Sequence, residues 1–404
     1  MNRIALLMLS ILPATAVAAD WPQFLGPNRD GHSAETGLLK EWPKEGPPKA
    51  WECEVGAGYS GPAIAGGKLI LFHRVGDAEV VECLDAKSGK KQWKYSSPTG
   101  YVDDLGKGDG PRATPIIAGD QVYTLGAEGR LQCLEFATGK KVWERDLAAD
   151  YPFRKGYFGV GSSPLVDGDR IFVNVGSKGA GVVAFDCKTG KEVWKAGSHR
   201  ASYATPTIAK IGGKRVLLFV TREGLLVLDP KDGSEVYSRP FRARIDASVN
   251  AATPLVAGDE VFLSASYNTG ALLLEGKGWK EIWKSDDALS NHYNTSVKVG
   301  DYLYGIHGRE EAGGELRCVE WSSGKVAWTK EGFGCAFLIA ADGMLIATVE
   351  SGELVLLDAT PKAYTEHGRF APLTKPLRAA PALADGVLYV RDEKTLTAWK
   401  VKKD

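Results

Sequence analysis

The chain has 404 residues, with 50 Lys plus Arg against 50 Asp plus Glu, so its formal net charge is zero. A balanced chain lacks the basic excess that grips phosphate backbones, which removes the electrostatic case for a nucleic-acid partner. It equally argues against a surface that clings to anionic lipid.

The first residues read as a targeting segment. Arg3 supplies a short positive region, Ile4 to Leu12 is apolar apart from Ser10, and Ala16-Val17-Ala18 offers the small-x-small pattern of a signal peptidase site. Residues 1–18 are therefore expected to be a cleaved signal peptide. No cysteine follows the cleavage point, so no lipid anchor is expected there. No later stretch is apolar for long enough to span a bilayer. The expected mature chain is periplasmic or secreted and monomeric.

Residues 19–46 form an expected N-terminal arm, and 47–404 a repeat domain. Self-similarity is the strongest signal in the chain. "CLDAKSGKKQW" (83–93), "CLEFATGKKVW" (133–143) and "AFDCKTGKEVW" (184–194) align directly, with weaker copies at 227–237 and 318–328. Residues 269–283 keep only Trp283 of the pattern, and 356–366 keep Asp358 but have lost the tryptophan. Before each copy stands a landmark, usually a small residue plus Pro, at Pro62, Pro115, Pro164, Pro206, Pro254, Ser296, Leu338 and Pro381. Their spacing of roughly 40 to 50 residues suits a four-stranded propeller blade.

Within a copy, β-branched runs alternate with DG, KG and TG turns, the signature of sequential antiparallel hairpins. Asp85, Asp186, Asp229 and Asp358 precede the turn, where a carboxylate can bond its own backbone. Gly89, Gly139 and Gly190 supply the turn itself. Trp93, Trp143, Trp194, Trp283 and Trp328, at the end of the fourth strand, are large enough to bridge neighbouring blades. The last copy has residues for only three strands, and 48–56, with Trp51, resembles an outermost strand. The reading is all-β: an eight-bladed β-propeller of four-stranded antiparallel blades, its ring closed by that N-terminal strand. An open solenoid, or a seven-bladed ring if 335–370 is not a blade, are the competing architectures.

Cys83, Cys133 and Cys318 share one motif position, filled by Ala184 in the third copy, so they read as small buried residues rather than as half-cystines. Cys53, Cys187 and Cys335 show no deducible pairing. The six histidines have no metal-ligand spacing, and no metal site is expected.

Residues just before an innermost strand face the mouth of a propeller channel. Tyr59, Arg112, Ser163, Tyr203, Asn250, His292, Asn294 and Arg378 stand there as candidate ligand-binding residues, suited to a polar or anionic molecule. The long connections 96–111 and 148–160 are candidate lids or partner-binding loops.

The repeat resembles the PQQ-type propeller repeat, A-x-D-x-x-T-G-x-x-x-W, shared by quinoprotein alcohol dehydrogenases and by BamB-like assembly proteins. The opening "DWPQFLGPNRDGHS" (20–33) looks like that of exported PQQ-like propellers abundant in planctomycete-type bacteria. The resemblance implies two functions. One is a binding or assembly scaffold, without cofactor, holding an envelope or secreted protein or a polar small molecule. The other is a PQQ- and calcium-dependent alcohol or sugar dehydrogenase, with Arg112, Asn250 and Arg378 against the cofactor and Asp246 as base. The vicinal Cys-Cys pair of the methanol-oxidising type and a haem-attachment CxxCH are both missing, which makes the scaffold the leading expectation.

Overall fold

The computed structural model describes residues 20–243, 245 and 248–403. The expected signal peptide, 1–18, and the candidate base Asp246 lie outside the described residues. The strands form eight four-stranded sheets, each a meander of antiparallel neighbours. Blade one comprises Ala63–Ala65, Lys68–Val75, Ala78–Asp85 and Lys91–Pro98. The inner strands of blades two to six are Ile116–Ala118, Leu165–Asp167, Thr207–Ile211, Leu255–Ala257 and Val297–Val299. The degenerate stretch 335–370 is a full blade seven, beginning with Ala336–Ala341 and ending with Glu366–Phe370.

Blade eight takes three strands from the C-terminus and its outermost from Lys49–Glu54, where Trp51 faces Ala398 and Cys53 faces Leu396. Ala63–Ala65 touches the inner strands on both sides, Ile116–Ala118 and Ala382–Ala384, so the ring is closed. Closure matters because an open edge strand would template pairing with another chain.

The repeat motif builds the seams between blades. Trp143 Nε1–H, on the outer strand of blade two, donates to the carbonyl of Cys187 in blade three at 2.8 Å. Trp51, Trp93, Trp194, Trp283 and Trp328 repeat the bond to the next blade, at 2.8 to 3.2 Å. The turn glycine completes the joint. Gly139 has φ +73, and a Cβ there would lie 2.3 Å from the Trp93 ring. The motif acid pins the same turn: Asp85 Oδ1 accepts from Ser88 N, and Asp186 Oδ1 from Thr189 N, both at 2.8 Å. Asp358 instead pairs with His367 at 2.9 Å.

All six cysteines are free thiols. Cys83, Cys133 and Cys318 lie opposite Trp93, Trp143 and Trp328 in their sheets, as Ala184 lies opposite Trp194. Burial pushes the Cys133 thiol up to about 12 and that of Cys83 to about 11, so neither is a thiolate near neutral pH.

Two blades lack the tryptophan. In blade four Tyr237 takes its place and stacks on Trp279 of blade five, ring centroids 4.6 Å apart. In blade seven the position is Gly368, opposite Leu356, and the space is filled from elsewhere in the chain by Trp42.

That tryptophan belongs to the segment preceding the first strand, which crosses the channel before it reaches the rim. Trp21 and Ile64 exchange two backbone hydrogen bonds, and Ile117 N–H donates to Pro22 O. Arg29, wholly buried, donates to Pro164 O at 2.8 Å, and burial pulls its guanidinium down to about 9. Gly31 and Ser33 clasp Ala340, and His32 Nε2 meets Lys298 O at 2.7 Å. The segment thus touches the inner strands of blades one, two, three, six and seven and stops the channel from one end.

Candidate functional site

A cavity of about 310 Å³ remains at the opposite, open mouth. Much of its lining follows the twofold alternation of extended backbone, counted back from the landmarks. Three residues before it stand Tyr59, Arg112, Gly161, Tyr203, Tyr293 and Arg378, and all line the cavity. One residue before it stand Ser163, Thr205, Phe337 and Ala380, which also line it. The residues between them, such as Ser60, Ala204 and Asn294, turn into the blades and are buried.

This register sorts the sequence candidates except His292, which lines the cavity from four residues before Ser296. Tyr59, Arg112, Ser163, Tyr203, His292 and Arg378 come together around the cavity. Asn250 and Asn294 are not part of the lining. Asn250 Nδ2 instead donates to Thr221 O and Phe241 O at 2.9 Å. Tyr293 and Phe337 were not among the candidates, although they stand three residues before Ser296 and one before Leu338, the same offsets as the other lining residues. Phe24, from the N-terminal segment, also lines the cavity and meets Phe337 edge to face at 6.2 Å. No repeat landmark marks it, because it lies in the N-terminal segment, outside the repeats.

Both long connections contribute walls. Leu105 and Lys107 come from the first, Phe158 from the second, and Glu310 and Glu311 from a hairpin of blade six. The first connection is held by Asp103, whose Oδ1 accepts from Leu105 N and Lys107 N at 2.9 Å each. The two connections are tied by Lys155, which bonds Val102 O and Asp104.

The two arginines that line the mouth are matched from within. Arg112 bonds the fully buried Asp103 carboxylate at 2.8 Å and lies over the Tyr59 and Phe158 rings. Arg378 bonds Glu350 at 2.7 Å and Glu310 at 2.5 Å. Glu350 also accepts from Tyr293 OH at 2.9 Å, and burial raises its carboxyl above the usual range. Burial holds His292 down at about 4, so it is neutral at physiological pH, and its Nε2 meets Tyr267 OH at 3.1 Å.

Among the described residues no three His, Cys, Asp or Glu side chains are grouped to hold a metal ion. Both arginines already have carboxylate partners. Among the described residues this donor set does not fit a calcium-bound quinone whose own carboxylates require arginine.

Comparison with known proteins places the architecture. A family profile described as outer membrane protein assembly factor BamB matches residues 77–330. The quinoprotein ethanol dehydrogenase of Pseudomonas aeruginosa is 30% identical over 181 residues, 41% of this chain and 28% of that protein. BamB of Burkholderia pseudomallei is 24% identical over 242 residues, 57% of this chain and 58% of the relative. In each case the match spans less than two thirds of the relative. Among solved structures, BamB from Moraxella catarrhalis superposes with TM-score 0.65 at 14% identity, covering 88% of this chain and 99% of that one. The quinohemoprotein alcohol dehydrogenase of Comamonas testosteroni gives TM-score 0.52 at 15% identity, covering 96% and 81%. At such identities the likeness is one of fold.

Proposed function

The chain belongs to the family described as outer membrane protein assembly factor BamB, and from that premise we propose that it is an extracytoplasmic binding or assembly scaffold whose working surface is the channel mouth. One observation carries the reading. The mouth is a preformed aromatic cavity whose two arginines, Arg112 and Arg378, are already neutralised by built-in carboxylates. Such a site is organised for recognition by shape and ring contact. Its rim adds exposed apolar groups, with Val102 63% and Leu105 54% accessible on the first connection. Exposed apolar residues grouped beside a cavity are characteristic of interaction surfaces. No helix among the described residues is long and apolar enough to cross a membrane.

A quinone-dependent dehydrogenase is the second reading, favoured by the 30% identity to the Pseudomonas enzyme over 181 residues. One experiment separates the two. The mature protein is incubated with PQQ and calcium and offered a panel of alcohols and sugars with an artificial electron acceptor. In parallel, a photo-crosslinking residue is placed at Leu105 and, as control, at Val193 on the outer rim. The scaffold reading expects no acceptor reduction above background, and an envelope cross-link from Leu105 alone. Sustained PQQ-dependent turnover, with no cross-link from Leu105, would overturn it.

A further inference from the structure

We infer that the cavity at the channel mouth receives an uncharged sugar ring of a glycan. This deepens the reading of the mouth as a binding surface and rests on it.

Charge narrows the ligand first. An anion at Arg112 or Arg378 would compete with Asp103, Glu350 and Glu310, which already hold those guanidinium groups at 2.5 to 2.8 Å. A cation at Asp103, Glu350 or Glu310 would meet the same obstacle. A neutral polyol displaces neither partner, because it can use the remaining hydrogens of the arginines and the remaining lone pairs of the acids.

The walls are aromatic on opposite sides. Tyr267, His292, Tyr293 and Phe337 run in a continuous arc with successive centroids 5.4 to 6.0 Å apart. Phe158 and Tyr203, 5.7 Å apart, stand on the other wall. A pyranose presents polarised C–H groups on its faces and hydroxyls around its edge. The first suit the negative face of an aromatic ring, and the second need neutral donors and acceptors. Both are supplied. Tyr203 OH accepts from Phe158 N at 3.0 Å and so keeps its own hydrogen to donate. Ser163 Oγ accepts from Thr114 N at 2.8 Å and is likewise a free donor.

The backbone argues against an extended peptide in the channel. A peptide would pair with the free edges of the inner strands, but the N-terminal segment already bonds to those of blades one, two and seven. Ile64 is paired with Trp21, Ala340 with Gly31 and Ser33, and the Pro164 carbonyl with Arg29. What is left open is a pocket bounded by side chains, of a size at the lower end for small-ligand sites.

The test is a broad array of neutral glycans probed with the mature protein, followed by calorimetric titration of the hits at low and high salt. Uronate oligosaccharides and a tyrosine-containing peptide serve as controls. The expected result is binding of a neutral oligosaccharide whose affinity changes less than twofold between 50 mM and 500 mM salt. Phe337→Ala and Tyr203→Ala should weaken it at least tenfold, Tyr203→Phe by less, and Val193→Ala not at all. Melting curves identify any variant that fails to fold, and Tyr203→Phe then carries the comparison. Absence of any neutral ligand across the array, or preference for uronates or the peptide, overturns the inference. If the Leu105 cross-link persists in that case, the scaffold reading survives it. If the cross-link is lost as well, both fall.

Discussion

Trp42 lies directly over Gly368, the position at which blade seven lacks the aromatic ring of its neighbours. Its backbone N–H donates to His367 O at 3.0 Å, and a Cβ grown on Gly368 would come within 2.5 Å of the Trp42 Cβ. The ring packs edge to face on Phe370, which in turn meets Trp399 of blade eight. A residue outside the repeats thus closes the seam that the repeat leaves open.

Trp42→Ala is therefore expected to cost about 3–5 kcal/mol, the usual range for deleting a large buried aromatic. Denaturant unfolding should show the loss as a lowered midpoint. Gly368→Trp should destabilise too, because the motif residue would collide with its own substitute. A Gly368→Trp variant as stable as the parent would show that Trp42 does not fill this seam.

Gly139 couples a turn to a ring. Its φ is +73, and the Trp93 ring would sit 2.3 Å from a new Cβ. Gly139→Ala should cost about 1–2 kcal/mol for the left-handed backbone alone, with the collision added to it. In a double-mutant cycle, Trp93→Ala should remove the collision and leave the backbone cost, so the two changes should be less than additive. Strict additivity of unfolding free energies would contradict the joint.

His73 gives the closing seam an acid limit. It is 2% exposed, its Nδ1 accepts from Gly56 N at 2.8 Å, and burial with Arg391 and Lys91 nearby holds it down at about 3. Glu82, which could favour the charged form, is 3.8 Å away and engaged with Lys91 at 2.9 Å. The folded value lies below the ordinary 6.5, so the stabilisation is fully present above about 6.5 and is lost as pH falls toward 3. His292, held at about 4, acts in the same direction. Melting temperature should decline from pH 7 to pH 4.5, and His73→Gln should flatten that slope. An unchanged slope would remove His73 from the account.

Arg378 is the mouth's most committed charge. Glu350 is 8% exposed, and Arg378→Met would leave that carboxylate without its cation. Breaking such a pair from one side costs about 3–5 kcal/mol. Adding Glu350→Gln should recover part of the loss, since the stranded charge is then gone. Unfolding curves of the single and double variants decide this, and no recovery would mean that the cost lies in packing.

The repeat was legible in the sequence because each blade obeys local rules. Alternating apolar strands, Gly turns and, in most copies, a tryptophan at fixed offset supported eight blades closed by the strand around Trp51, and the structure decides this over a seven-bladed ring or an open solenoid. Part of the mouth was legible for the same reason: Tyr59, Arg112, Ser163, Tyr203, His292 and Arg378 stand at countable distances from a landmark. The tertiary structure alone decided what comes from far along the chain. It set Phe24 and Trp42 into the channel and the blade-seven seam, and it put Asp103 against Arg112 and Glu350 against Arg378. Those partnerships depend on closing long loops around a finished ring, and a pattern of local period carries no record of where such loops return.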